Sequence, residues 1–217
     1  MLQPGARVLD LGCGPGVLAR LTKTLIACHF DGIDSDKSAL ERASSDYEHL
    51  VVGDLERHPL AGLAPTPPYD VVILADLLEH LVHPGRLLRQ VPGILAPGGR
   101  VLISLPHIGY VGLIAELLAG RFAYRSCGLL DHTHLRHFTR ASALEFLTLN
   151  GFAVTTITTI EKAVADTEFA GPAWARLDGP ARDFLGRAVD GEVFQFLIEA
   201  VPGGPGVDSA GHPAALT

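Results

Sequence analysis

Cysteine is scarce in this chain: Cys13, Cys28 and Cys127 are widely spaced and form no C-x-x-C pair. That excludes a disulfide framework and a cysteine zinc site, and it leaves small core thiols in a reducing cytoplasm as the expectation. Long apolar runs are missing too. None reaches the roughly 18 residues of a membrane span, and Gln3, Pro4 and Gly5 stand where a signal peptide would begin, so neither a membrane anchor nor a leader is expected. Charge is low and acidic, 19% charged residues with a net −7, which argues against a nucleic-acid partner, since phosphate binding needs clustered Lys and Arg. Internal repeats are absent.

What is present is 217 residues, 47% of them hydrophobic, enough for one sizeable core. Short β-rich runs alternate with segments of helical period. "RVLDL" (7–11), "HFDGID" (29–34), "HLVVGD" (49–54), "YDVVILAD" (69–76) and "RVLISL" (100–105) read as strands. Between them, Val17, Leu18, Leu21 and Leu25 share one helical face, Ser35 or Asp36 caps a short helix, and Pro84 opens a helix running through Leu95. Farther on, 110–120 reads as an apolar helix and Thr139 caps a helix stopped by Asn150 and Gly151. "FAVTTITTI" and "VFQFLIEAV" are strands six and seven, separated by a loop over 163–192, and the Pro- and Gly-rich tail from Pro202 is expected to be disordered. The βα alternation predicts an α/β fold, a parallel sheet with helices on both faces.

Ligands of such sheets bind at the carboxyl ends of the strands, where the chain order reverses. "VLDLGCGPGVLARL" supplies bare backbone there: Gly12, Gly14 and Gly16 let N–H groups come close to a ligand. A dinucleotide loop, G-x-G-x-x-G, would place its third glycine at position 17, where the chain has Val17, which disfavours a nicotinamide oxidoreductase. Asp34, closing strand two, suits a pair of ribose hydroxyls. Asp54 suits an exocyclic amine with Leu55 beside the ring, and Asp10 repels a pyrophosphate but welcomes an ammonium or sulfonium group.

With these segments in order and spacing, the sequence resembles the class I S-adenosylmethionine-dependent methyltransferases, by "VLDLGCGPG", "GIDSD", "VVGDLE" and the stretch from Tyr69 to Pro106. The resemblance implies a Rossmann-like sheet of seven strands, mostly parallel with an antiparallel seventh, in one domain over 1–201, with 106–138 and 163–192 as substrate-side insertions. It implies S-adenosyl-L-methionine as cofactor, held by Asp10, Gly12, Gly14, Gly16, Asp34, Ser35, Asp54, Leu55, Ala75 and Asp76, with Asp10 facing the amino group and the last two beside the sulfonium. The leading helix that usually closes this cofactor site is not seen before strand one, so the N-terminus is truncated or the lid comes from elsewhere.

Methyl transfer is an in-line displacement in which acceptor positioning dominates, and a hydroxyl acceptor also needs a base. The imidazoles after strands four and five are His80, His107, His132, His134 and His137, of which His80 and His134 are the candidate catalytic residues. "DLLEHL" brings Asp76, Glu79 and His80 together. Similar Glu-x-x-Glu-His segments in ubiquinone-pathway O-methyltransferases are associated with a divalent metal, but the first acid here is Asp, and no metal is assigned. In "DHTHLRHFT", Asp131 and Arg136 are expected to pair. Helix 110–120, Tyr124, Cys127, Phe169 and Trp174 are expected pocket walls. The expected function is methylation of a small molecule, more readily at oxygen, by a monomer or homodimer; the alternative is a cofactor-binding partner subunit without turnover of its own.

Overall fold

Strands whose alternate residues are apolar on both faces need cover on both, and the computed structural model, which describes residues 2–43 and 45–203, supplies it. The elements run β1 Arg7–Leu11, α1 Val17–Leu25, β2 His29–Asp34, α2 Lys37–Ala43, β3 His49–Val52, α3 Leu60–Leu63 and β4 Tyr69–Ala75. After a 3-10 turn at Leu78–His80 come α4 Pro84–Leu88, β5 Leu95–Pro106, α5 Val111–Leu118, α6 Arg140–Leu149 and β6 Phe152–Glu161. α7 Pro172–Arg176, α8 Gly179–Gly186 and β7 Val193–Pro202 complete the chain. The seven strands form one sheet in the order β3-β2-β1-β4-β5-β7-β6. β1 to β5 pair in parallel, and β7 lies antiparallel to both β5 and β6.

Strand periodicity divides the interior into two cores. Val8, Val71 and Ile73 point to the side covered by α1 and α2, where Ala19, Leu40 and Ala43 pack. Leu9, Leu11, Val72 and Leu74 point to the other side, against Leu60 of α3, Leu87 and Leu88 of α4 and Leu147 of α6. A third cluster, Tyr110, Leu113, Leu129, Leu130 and Phe169, ties α5 to the segments before β6 and β7.

Several expectations are corrected. The apolar stripe of α1 faces solvent: Val17 is 53% and Leu25 87% exposed, while Ala19 on the opposite side meets the sheet. The helix from Pro84 ends at Leu88, because Pro92 has no N–H and its ring clashes with the carbonyl four residues back; a 3-10 turn, Val91–Ile94, follows. The stretch 163–192 is not a loop. It holds α7 and α8, each with proline in its first turn, and Asp178 caps α8 by accepting from the Ala181 N–H at 2.8 Å. Phe169 is fully buried against Tyr110 rather than lining a pocket, and Cys127 is exposed. Pro202 still belongs to β7, and the tail from 204 lies outside the described residues. Thr139 does cap α6, accepting from Ser142 N–H, and Asn150 and Gly151 end it. Among the described residues no helix is long and apolar enough to cross a membrane.

Candidate functional site

The chain turns back between β1 and β4, neighbours in the sheet whose following segments leave toward opposite edges. That junction is where an open parallel sheet leaves a crevice. The three glycines after β1 all have positive φ: Gly12 69°, Gly14 51° and Gly16 76°. Each meets something different. A Cβ on Gly16 would stand 2.9 Å from the Ala43 Cβ, so this glycine lets α1 start against α2. A Cβ on Gly12 would press on Leu77, just after β4, at 2.9 Å. Gly14 has open space beside it, and its N–H donates to Asp34 Oδ2 at 2.8 Å.

Asp34, at the tip of β2, also accepts from the Asp36 N–H at 2.8 Å, so its carboxylate is fixed between the glycine loop and the start of α2. Asp36, not Ser35, caps α2, accepting from the Ser38 hydroxyl and from the Ala39 and Ser38 N–H groups; these bonds, the hydroxyl's first, hold its carboxyl below the ordinary range. Ser35 is left exposed at the rim. Asp54 closes a tight turn after β3 by accepting from Glu56 and Arg57 N–H groups, and it pairs with the Arg57 side chain at 3.2 Å. Leu55 beside it is nearly buried in the larger core.

Asp10 departs from expectation. Its side chain is 2% exposed and already accepts from the Tyr47 hydroxyl at 2.7 Å. Burial pushes its pKa up to about 7, the Tyr47 bond opposes the shift, and the charge of Asp34 adds to it.

On the other side of the crevice, Glu79 sits in the 3-10 turn after β4, fully buried, and neither carboxylate oxygen has a hydrogen-bond partner. Burial pushes its pKa up to about 8, and the charge of Asp76 adds to this. Its backbone carbonyl accepts from Leu135 and Arg136 N–H groups at 2.7 and 3.0 Å, which fastens the loop 131–137 to the turn. The fastening brings His134 to His80, ring centroids 4.7 Å apart and nearly perpendicular. His80 Nδ1 pairs with Thr133 Oγ1 at 2.9 Å and His134 Nδ1 with the Leu129 carbonyl at 3.2 Å, which leaves each Nε2 without a protein partner among the described residues. Burial lowers the His134 pKa and keeps that ring neutral. One ligand atom each from Glu79, His80 and His134 fall within 4.8 Å of one another. A carboxylate with two imidazoles is a donor set for zinc, iron or manganese, and the orphaned carboxylate gives this site a reason to hold a cation.

Asp76 does not join that cluster. It has a left-handed backbone, φ 49°, uncommon for a residue with a side chain. Ser104 Oγ accepts from its N–H at 2.9 Å and donates to its Oδ1 at 2.7 Å, and Gln195 Nε2 from β7 donates to the same oxygen at 2.5 Å. Ala75, the last residue of β4, is half-buried beside it. His107 lies elsewhere, buried against Phe196, with Nδ1 on the Val193 carbonyl. His132 turns to the Arg125 carbonyl, His137 to Phe122, and Asp131 to Thr133 rather than to Arg136. Sequence reasoning missed Ser104 and Gln195, which only sheet register brings to Asp76, and it had no local signal joining His80 to His134.

Residues 1–157 match a family model described as a methyltransferase domain. The ubiquinone biosynthesis O-methyltransferase of Burkholderia thailandensis is 29% identical over 159 residues, 68% of each chain. That of Aeromonas salmonicida is 27% identical over 175 residues, 76% of this chain and 70% of the relative. Among solved structures, an S-adenosylmethionine-dependent methyltransferase from Mesorhizobium loti aligns with TM-score 0.55 at 23% identity over 91% of each chain. A chain from the complex of the Haloferax volcanii Trm112 methyltransferase activator with a putative methyltransferase aligns with TM-score 0.61 at 19% identity, over 93% of this chain and 84% of that one. These structural likenesses concern the fold.

Proposed function

The chain belongs to the methyltransferase-domain family and takes S-adenosylmethionine as its methyl donor, and on that premise we propose that it methylates an oxygen of a small molecule, with a divalent cation held by Glu79, His80 and His134. The supporting observation is the orphaned Glu79 carboxylate, set with two imidazoles on the turn that leaves β4. A cation bound there would polarise an acceptor hydroxyl and lower its pKa, a need that an amine acceptor lacks. The sequence alone assigned no metal to this segment, and the cation is an addition to that reading.

The chain's own residues divide the remaining work. Gly12, Gly14 and Gly16 leave room for the methionyl part of the cofactor, and Asp34 with Ser35 takes the ribose, where the Gly14 N–H bond shows the carboxylate already turned toward the loop. Asp54 and Leu55 border the adenine side. Ala75 and Asp76 lie beside the sulfonium, Asp76 being locked in place by Ser104 and Gln195. Neutral His134 presents its Nε2 lone pair to the acceptor side, as a cation ligand or as the proton acceptor for the hydroxyl.

Calorimetric titration with S-adenosylhomocysteine tests the donor half: Asp34→Ala should weaken binding by about ten- to a hundredfold, the worth of charge-assisted bonds to two hydroxyls. No binding by the intact chain refutes the reading. Turnover against phenols and catechols, by metal-stripped protein with and without Mn²⁺ or Zn²⁺, tests the acceptor half. A second reading, a cofactor-binding subunit that acts beside a partner, draws on the exposed stripe Val17, Leu18, Leu21 and Leu25 of α1. Turnover by the isolated chain excludes it.

A further inference from the structure

Beside the crevice, between the start of α4 and the segment entering α6, lies a cavity of about 630 Å³, and none of the residues assigned to methyl transfer lines it. Arg86, Arg89 and Arg136 surround it, with Phe138 and Phe146 as its apolar wall. The three guanidiniums bind only neutral oxygens: Arg86 donates to the Glu56 carbonyl at 3.2 Å, Arg89 to Asn150 Oδ1 at 2.6 Å and Arg136 to the Val82 carbonyl at 2.5 Å. Among the described residues none of them has an ion-pair partner; Arg20, Arg57, Arg100, Arg121 and Arg140 are ion-paired, and Arg7 and Arg182, which also bind neutral carbonyls, lie away from this cavity. The acid beside this group, Glu56, is engaged by the His83 N–H at 2.8 Å. In a chain of net charge −7, three arginines and no acid among the residues lining one cavity, with Glu56 the acid beside them, are a local excess of positive charge.

We infer that this cavity binds a small organic anion, a carboxylate or phosphate group on an apolar body, at a site separate from the methyl-transfer cleft. Each guanidinium spends one donor on its neutral partner and keeps the rest of its planar fork, which matches the two oxygens of a carboxylate or phosphate. Phe138 and Phe146, rings 5.6 Å apart and tilted by 50°, offer the body an aromatic wall. The volume is that of a small-ligand pocket rather than a protein interface. Gly85 sets the width: a Cβ there would stand 2.5 Å from Asn150 Oδ1, so glycine lets α4 close on the end of α6 while Arg89 bridges them. Arg136 stands two residues after His134, in the loop fastened to the Glu79 carbonyl, so a ligand gripping Arg136 bears on the arm that carries His134.

The test uses phenyl phosphate, benzoate and inorganic phosphate as probes on the full chain, read by calorimetry and by the arginine Nε–Hε resonances. One phenyl phosphate or benzoate per chain should bind, shift the resonances of Arg86 and Arg136, weaken with added salt and bind equally well with S-adenosylhomocysteine present. The better of the two identifies the head group. Arg86→Ala and Arg136→Ala together should weaken binding by about tenfold or more, and Lys at both positions should recover part of it. Probes that shift neither resonance, that bind the double variant as they bind the parent, or that are displaced by S-adenosylhomocysteine would overturn the inference. So would inorganic phosphate binding as tightly as phenyl phosphate, since the aromatic wall would then contribute nothing. The resonance mapping on the unsubstituted chain decides the matter even where a variant fails to fold.

Discussion

On the β1 to β3 side of the crevice, the acids Asp10, Asp34 and Asp54 each already hold a partner: a tyrosine hydroxyl, two backbone N–H groups, and a turn of two N–H groups with an arginine. On the side that follows β4 and β5, the buried carboxylate of Glu79 holds none. The first rim is therefore complete without a ligand, its groups fixed by neighbours a few residues or one strand away. The second is assembled from a turn and a loop some fifty residues apart and leaves a buried acid without a hydrogen-bond partner. A preorganised rim suits a cofactor that every turnover shares, and an incomplete one suits a group that must be supplied.

The comparison breaks most visibly at Gly16. Valine there would combine a left-handed backbone at φ 76° with a Cβ 2.9 Å from Ala43 and 3.0 Å from Tyr47. The backbone costs about 1–2 kcal/mol and the crowding about 1–3 more, so Gly16→Val should lower stability by about 3 kcal/mol. Gly14→Ala, with open space beside it, should cost only the backbone share while still weakening cofactor binding. Chemical denaturation of the two variants checks the difference; equal losses would mean that the loop does not rest on α2.

Glu79→Gln sharpens the other rim. If the orphaned carboxylate is there for a cation, Mn²⁺ or Zn²⁺ at a hundredfold excess over its dissociation constant should stabilise the unsubstituted chain by about 2.7 kcal/mol and the variant hardly at all. Thermal melts with and without metal read this directly, and an equal response from both proteins would remove Glu79 from the site. The variant should otherwise fold well, since it replaces a buried ionisable group lacking a partner with a neutral one of the same shape.

The same contrast explains what could be read in advance. Strand periodicity, the glycine spacing and the acids at the strand tips are local patterns, and they placed all seven strands, the glycine loop after β1 and Asp34 at the tip of β2 close to where the structure has them. The shared face of Val17, Leu18, Leu21 and Leu25 is legible from helical periodicity, but periodicity does not say what a face meets, and this one meets solvent. α7 and α8 were overlooked although Pro172, Asp178 and Pro180 are helix-start signals, because neither helix is long enough to show a period. Asp76 with Gln195, and His80 with His134, meet only through sheet register and loop docking across large separations in the chain. Nothing local in either member announces the other.

The effect expected at Asp10 has a sign that depends on pH. The folded state raises its pKa from 3.8 to about 7, so the native protein binds the proton more tightly than the unfolded chain does between those values. Stability contributed by the protonated form is fully present below about pH 4 and is lost as pH rises through about 7. Asp10→Asn keeps an acceptor for the Tyr47 hydroxyl and has nothing to ionise. Its melting temperature should match the parent near pH 4 and exceed it at pH 8, which paired melts at the two pH values measure. A variant less stable than the parent at pH 8 would mean that the Asp10 charge is held beneficially by the glycine loop above it, which would return the residue to the cofactor rim where the sequence placed it.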